Sequence, residues 1–383
     1  MLSTGKNKET VGLDLEAGSA AAVEVTENGH AAVTGFGVME LPSGVFRDGE
    51  VSDPDALVQT LKELFSRNKL SRNVRLGLAS QRVAVRMLQL PAIEDQKELE
   101  TAIQFQAQEQ VPMPLDQAVL DWQVVGRSSG ENGEQRLDVV VVVARRDSVS
   151  AAVSVMTQAG LRPVGIDLSA FGMIRALSTS GHAVVPPGTY VDAPAPNEAE
   201  TAVHLEAGAV PETAMENGQV GARAFCNLGD VTNLAVARGS TCLFTRVSPF
   251  GVEGIAQKLA ERRELTLEHA RQWLTHVGLE APVESIEGDP EIVGAARDSL
   301  AEGATRLVDE LRLSLEYYGA QEDAVPVDGV VACGPGTTIP GLTERLQRDL
   351  GQRFEVAHPQ PLAHLDDATA ARLTVSFGLG LGE

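Results

Sequence analysis

Positive charge is in short supply in this chain. Its 31 lysines and arginines face 53 aspartates and glutamates, for a formal net charge of -22. That disfavours nucleic acid and anionic membrane surfaces as direct partners, because both would repel it over at least a Debye length. A basic peptide would be attracted. Cysteine is scarce as well. Cys226, Cys242 and Cys333 have no CxxC spacing and lie in apolar, strand-like runs, which argues against a disulfide framework or a metal cluster and for reduced core thiols in the cytoplasm. Long apolar runs are missing too. The longest, Val139 to Ala144, is far short of a bilayer span, and the polar Met1 to Thr10 lacks the apolar core of a signal peptide. The chain is therefore expected to be cytoplasmic, without direct membrane insertion, and any work at a membrane requires another component to hold it there.

What the chain does have is a repeated turn. Val11-Gly12-Leu13-Asp14-Leu15-Glu16-Ala17-Gly18-Ser19 runs into Ala20 to Val25, and Phe225-Cys226-Asn227-Leu228-Gly229-Asp230-Val231-Thr232-Asn233 runs into Leu234 to Ala237. Each copy is an apolar strand carrying one Asp or Asn, a turn with Gly and a small hydroxyl residue, and a second apolar strand. Either alone reads as an ordinary hairpin, but two copies about half a chain apart point to a duplicated fold. In two-lobed nucleotide-binding folds such turns lie beside the phosphates, because Gly lets backbone N–H groups approach an anion and the acid positions a hydrated cation. With 383 residues, 43% of them hydrophobic, the chain is long enough for more than one domain and a large core.

In chain order, Ala31 to Glu40 is a third strand, followed by a turn-rich loop from Gly44 to Glu50 and a helix capped by Asp53 with Pro54 at its first position. Val74 to Leu78 and Val83 to Leu88 read as strands of the same α/β unit. Asp95 and Glu98 make a capping box for a Gln-rich helix through Gln110, with Leu99, Ala102, Ile103 and Gln106 on one side and Val111-Pro112-Met113-Pro114 as the stop. Strands around Val119 to Val125 and Leu137 to Ala144 flank a polar loop from Gly126 to Gln135, and the Val run predicts burial on both faces. A helix from about Ser148 to Gln158 ends at Gly160. Val164 to Asp167 returns to strand and Ser169 to Leu177 to helix. From Ser178 to Gly221 periodicity fails over ~40 residues, against about 4 to 6 for a usual loop, so a mobile loop is expected. After the second hairpin the chain reads as helical, with a helix at Ile255 and Leu259, one from Thr266 to Gly278 and a long one from about Glu291 to Tyr318. A buried strand, Val327 to Cys333, then leads into Gly334-Pro335-Gly336, a helix opened by Ile339-Pro340-Gly341-Leu342 and a closing helical segment, Ala370 to Leu381.

This order of signals resembles the actin-like ATPase superfamily, and within it the type IV pilus assembly PilM family, relatives of the cell-division protein FtsA. The stretches that carry the resemblance are Leu90-Pro91-Ala92 through Pro114, Val139 through Asp167, and Gly334 through Leu342. It implies an α/β, two-lobed actin-like (ribonuclease H-like duplicated) fold with an inserted 1C subdomain. The expected divisions are a flexible 1–10, subdomain 1A over 11–89, 1C over 90–165, a return to 1A over 166–177, a mobile loop over 178–221, the second lobe (2A/2B) over 222–364, and a C-terminal helix on the first lobe over 365–383. It also implies a cytoplasmic adaptor at the inner face of the cell membrane. Such an adaptor binds the N-terminal cytoplasmic peptide of a PilN-like inner-membrane protein, and through it is linked to PilO-like and platform proteins and the motor ATPases.

The same resemblance places ATP and magnesium in the cleft. The cofactor-binding candidates are Asp14, Gly18, Ser19, Asn227, Gly229, Thr232, Gly334 and Gly336, with Asp14 also the metal candidate. Several positions depart from the family pattern. Glu16 and Ala21 stand where relatives carry Gly and Lys, Asn227 replaces an Asp, Arg271 and Leu274 fall where an acid and a Lys lie near the ribose, and Pro335 removes one N–H donor. A carboxylate ~4 Å from a phosphate costs about 4 kcal/mol at an effective dielectric of about 20. Nucleotide binding is therefore expected to be weak or lost, with a slow ATPase or an FtsA-like filament as alternatives and no catalytic residue assigned. The peptide groove needs an apolar floor and an acidic rim. Leu99, Ile103 and Phe105 with Glu98, Glu100 and Glu109 are the candidates, and Phe105 and Glu109 are singled out because Phe105 lies off the helix's core stripe.

Overall fold

Apolar runs cut by Gly, Asp and Pro build two sheets of one topology. The structure is a computed structural model that describes residues 9–27, 31–47, 49–111, 113–129, 133–178, 182–184, 221–321 and 324–381. Expectations for Met1 to Lys8, Pro112, the loop at 130–132 and most of 178–221 lie outside the described residues.

In the first lobe, β1 (Thr10–Leu15), β2 (Ser19–Glu27) and β3 (Ala31–Glu40) form an antiparallel meander. The turn-rich loop holds a short hairpin, β4 (Phe46–Arg47) with β5 (Glu50–Val51). Asp53 caps α1 (Pro54–Arg67) by accepting the N–H of Ala56 at 3.1 Å, and α1 buries Leu57, Leu61, Leu64 and Phe65. The next strand, β6 (Asn73–Leu78), runs parallel to β1.

The insertion has its own sheet, made of β7 (Ala84–Pro91), β8 (Ala118–Ser129) and β9 (Gln135–Arg145) in the order β7-β9-β8. Helix α2 (Gln96–Gln110), capped by Asp95, lies on one face and buries Leu99, Ile103 and Ala107. The central strand is buried on both faces. Val139, Val141 and Val143 join the core under α2, while Val140 joins the first-lobe core. Two expected boundaries shift. The strand read as Val83 to Leu88 of the first lobe is β7, which pairs with β9 in the insertion's sheet. Helix α3 (Arg146–Gln158), read as part of the insertion, buries Ala152, Val155 and Met156 in the first-lobe core. Local periodicity identified both elements but carried no information about which sheet each one joins. The expected loop from Gly126 is also shorter, because β8 continues to Ser129.

After α3 the chain re-enters the first sheet as β10 (Arg162–Leu168), parallel to β6, and gives the order β10-β6-β1-β2-β3. Helix α4 (Ser169–Ser178) follows. Residues 182–184, expected to be loop, form β11 (His182–Val184), antiparallel to a late strand of the second lobe.

The second lobe repeats the first. β12 (Ala222–Leu228), β13 (Thr232–Arg238) and β14 (Thr241–Ser248) make a meander. Helices α5 (Val252–Arg263), α6 (Leu267–Val277) and α7 (Pro290–Gly319) come next, and then β15 (Val327–Cys333) runs parallel to β12. α8 (Leu342–Leu350) leads to β16 (Phe354–Pro359), parallel to β15. The resulting order β11-β16-β15-β12-β13-β14 contains the first sheet's pattern of meander plus two parallel strands. The reading of a helical chain after the second hairpin, broken only by the strand Val327 to Cys333, missed β14 and β16, both partly buried strands without a long apolar run. The last helix, α9 (Asp367–Gly380), returns to the first lobe and packs on α4, β1 and β2.

Candidate functional site

The duplicated hairpins bring their turns face to face between the lobes. Asp14, near the end of β1, is buried and accepts the hydroxyl of Ser169 Oγ at 2.7 Å. Ser169 opens α4 and was not singled out from the sequence, where a lone serine before a helix carries no distinguishing signal. Burial pushes the Asp14 carboxyl up to about 6, with the Asp230 carboxylate adding to the rise and the Ser169 hydroxyl opposing it. Ser19 is buried at the start of β2.

The first turn closes when the N–H of Glu16 donates to Ser19 O at 2.9 Å, and the Glu16 side chain then crosses to the second turn. Its Oε1 accepts Asn227 Nδ2 at 2.9 Å and its Oε2 accepts the N–H of Asp230 at 3.0 Å. In return, Asp230 Oδ2 accepts the N–H of Gly18 at 2.6 Å. Burial, then the neighbouring Asp230 and Asp14 charges, hold the Glu16 carboxyl well above its ordinary value, against the pull of the Asp230 N–H and the Asn227 amide. Burial and Glu253 likewise raise Asp230 to about 6, against Gly18 N–H, Arg271 and Arg372. Asp230 follows Gly229 inside the repeated turn, so the sequence showed the residue but not its reach.

The remaining predicted positions are brought close to these turns but serve packing. Thr232 Oγ1 donates to Phe250 O at 2.8 Å. Gly334, at φ +88°, and Gly336 sit so tightly on β12 that a Cβ would collide with Asn227 Oδ1 at the first and with Leu228 at the second. Arg271 forms a bidentate pair with Glu253, at 2.9 and 2.7 Å, and Leu274 is buried in the second-lobe core. The cavity left among Asp14, Glu16, Ser19, Asn227, Pro335 and Arg372 measures about 10 Å³. That is room for one water, where ligand pockets run to ≈ 300–1,000 Å³. The N–H of Asp230 and the amide of Asn227 are both engaged by Glu16. Among the described residues, no group of three or more His, Cys, Asp or Glu side chains is disposed to hold a metal ion.

A larger hollow, of about 410 Å³, opens where the insertion meets the first lobe, lined by Arg82, Val83, Ala84, Met113, Pro114 and Arg145. Two arginines, Arg82 and Arg145, stand at its rim. Both guanidinium groups already have acid partners, Arg82 with Glu50 at 2.6 Å and Arg145 with Asp147. Leu99 and Ile103, offered as groove floor, are instead core of the insertion, because α2 turns that stripe onto the sheet. Phe105 is 66% exposed on the outer side of α2, and Glu109 is exposed beside it.

Residues 12–189 match the sequence profile of the family described as type IV pilus assembly protein PilM. Over the whole chain the fold resembles the PilM-PilN type IV pilus biogenesis complex, with a TM-score of 0.71 at 22% identity, covering 98% of this chain and 98% of that one. Ethanolamine utilization protein EutJ of Carboxydothermus hydrogenoformans matches at a TM-score of 0.50 and 15% identity, over 100% of this chain and 92% of that one. MreB5 of Spiroplasma citri, bound to ADP, matches at 0.51 and 11% identity, over 97% of this chain and 94% of that one. Over residues 12–189 this chain is thus similar to the type IV pilus assembly protein PilM family, and over nearly its whole length it has the two-lobed actin-like fold of these solved structures.

Proposed function

We propose that this chain is an adaptor of the type IV pilus inner-membrane assembly platform, binding the short N-terminal peptide of a PilN-like membrane protein without help from nucleotide. One contrast carries the reading. Glu16 bridges the two repeated turns and leaves a cavity of about 10 Å³ among them, while the hollow between first lobe and insertion measures about 410 Å³. The solved PilM-PilN complex supports a PilN-like partner. Through that partner the chain would reach PilO-like and platform proteins and the motors, at the inner face of the membrane. Among the described residues no helix is long and apolar enough to cross a membrane, which fits attachment through a partner.

The apolar wall of Val83, Ala84, Met113 and Pro114 would take the peptide's apolar residues. Phe105 and Glu109 are proposed as a further contact on the same insertion, because a large exposed ring has no packing role there. The chain's negative charge would draw in the peptide's basic end. Calorimetric titration of the purified chain with the partner's N-terminal peptide, with and without ATP and magnesium, tests the reading. Equal peptide affinity in both arms is expected. Binding that requires ATP, or no binding in either arm, would overturn it.

A further inference from the structure

Aligned as repeats, Asp14-Leu15-Glu16 corresponds to Asn227-Leu228-Gly229. Glu16 thus holds in the first copy the place that Gly229 holds in the second, and its carboxylate lies directly against that glycine. A Cβ on Gly229 would collide with Glu16 Oε1 and the carboxylate carbon. The reverse contact has the same form. A Cβ on Gly18 would collide with Arg271 and come within 3.1 Å of Asp230 Oδ2. Both glycines are therefore small where the opposite lobe's carboxylate sits.

We infer that each turn is an oxyanion-binding site whose ligand is supplied by the opposite lobe, so that the two lobes close on each other's carboxylates instead of on a bound phosphate. The second turn offers the N–H of Asp230 and the amide of Asn227 to Glu16, and the first offers the N–H of Gly18 to Asp230. These are the donors a phosphate takes at such turns, and a carboxylate is a planar oxyanion of smaller size and charge. Ion pairs flank the exchange. Arg271 holds Glu253 and comes within 3.9 Å of Glu40 of the first lobe, which adds a second link across the same cleft. Closure is then a property of the chain itself, and any outside anion must displace a side chain tethered at high effective concentration. The inference goes beyond the adaptor reading and does not depend on it.

The test uses the full chain, its Glu16→Gly variant and inorganic phosphate as probe. In the parent without phosphate, the N–H groups of Gly18 and Asp230 should be strongly protected from hydrogen exchange. In Glu16→Gly both should lose protection, and phosphate at about a hundred times its dissociation constant should restore it while raising the melting temperature by about 3 °C. The parent should show no such rise. Rapid exchange at both N–H groups in the parent would overturn the inference even if the variant does not fold. So would a folded variant that phosphate leaves unchanged, or a parent that responds to phosphate as the variant does. Failure of the partner peptide to bind would refute the adaptor reading and leave this exchange standing.

Discussion

Glu16 and Asp230 each reach the other's lobe. Glu16 Oε2 accepts the backbone N–H of Asp230 at 3.0 Å, and Asp230 Oδ2 accepts the N–H of Gly18, two residues from Glu16, at 2.6 Å. Removing Glu16 frees two donors and clears the side chain that occupies them. Glu16→Gly should bind ATP at least tenfold more tightly than the parent, about 1.4 kcal/mol, in calorimetry at fixed magnesium. Equal affinities would show that the carboxylate does not obstruct the site.

Stability should depend on pH through Asp14. Its carboxyl rises from 3.8 to about 6 on folding, through burial first and the Asp230 carboxylate after, against the Ser169 hydroxyl. Between those values the folded chain holds a proton that the unfolded chain has released, so stability rises as the pH falls through that window, and the loss is complete above about 6. From pH 7 to pH 5 the parent should gain about 1 kcal/mol more than Asp14→Asn, which keeps an acceptor for Ser169 but no charge. Urea unfolding of both at the two pH values measures this. Parallel pH dependence would assign the effect to other groups, Glu16 and Asp230 being nearest.

A charge placed in the hollow beside the insertion should exclude an apolar peptide. Met113→Glu is expected to weaken the partner's N-terminal peptide more than tenfold, about 1.4 kcal/mol, while the melting temperature stays within a few degrees because Met113 is only partly buried. An unchanged affinity would move the peptide elsewhere.

The outer side of α2 can be tested separately. Phe105→Ala with Glu109→Lys should also weaken the peptide more than tenfold, with the fold intact, since neither side chain is buried. A variant that melts and binds like the parent would remove α2's outer side from the interface.

Gly378→Ala should destabilise the chain. Alanine gains up to about 1 kcal/mol of helix propensity over glycine, but a Cβ there would collide with Gly172 O on α4. Forcing backbones apart in a packed interface costs about 1–3 kcal/mol, so the loss wins. A variant as stable as the parent in urea would show that α4 and α9 separate easily.

Much of the fold was legible because its signals are local. The caps Asp53, Asp95 and Thr266, the αL glycine at 160 and the Val run of β9 depend on neighbours within a few residues. The repeated turn exposed the duplication. What stayed hidden depends on distant partners. β7 and α3 look alike whichever sheet they join, β14 and β16 have mixed faces, and Arg271 pairs with Glu253 where a ribose contact was sought. The site's defining contacts, Glu16 to Asp230 and Asp230 to Gly18, join residues more than 200 positions apart, and no spacing within one strand foretells them.

The return of α9 to the first lobe has a consequence for synthesis. Its residues Ser376, Leu379 and Gly380 lie against β1 and β2, with Ser376 Oγ donating to Ala21 O at 2.9 Å and Gly380 beside Val25. On the ribosome, β1 and β2 emerge well before α9, so one side of the first-lobe meander stays uncovered while the second lobe is made. A chain released early would expose that apolar strand surface to its neighbours, the condition that invites aggregation or a chaperone. Nascent chains stalled before residue 367 should therefore engage chaperones that chains extended past residue 380 have left behind.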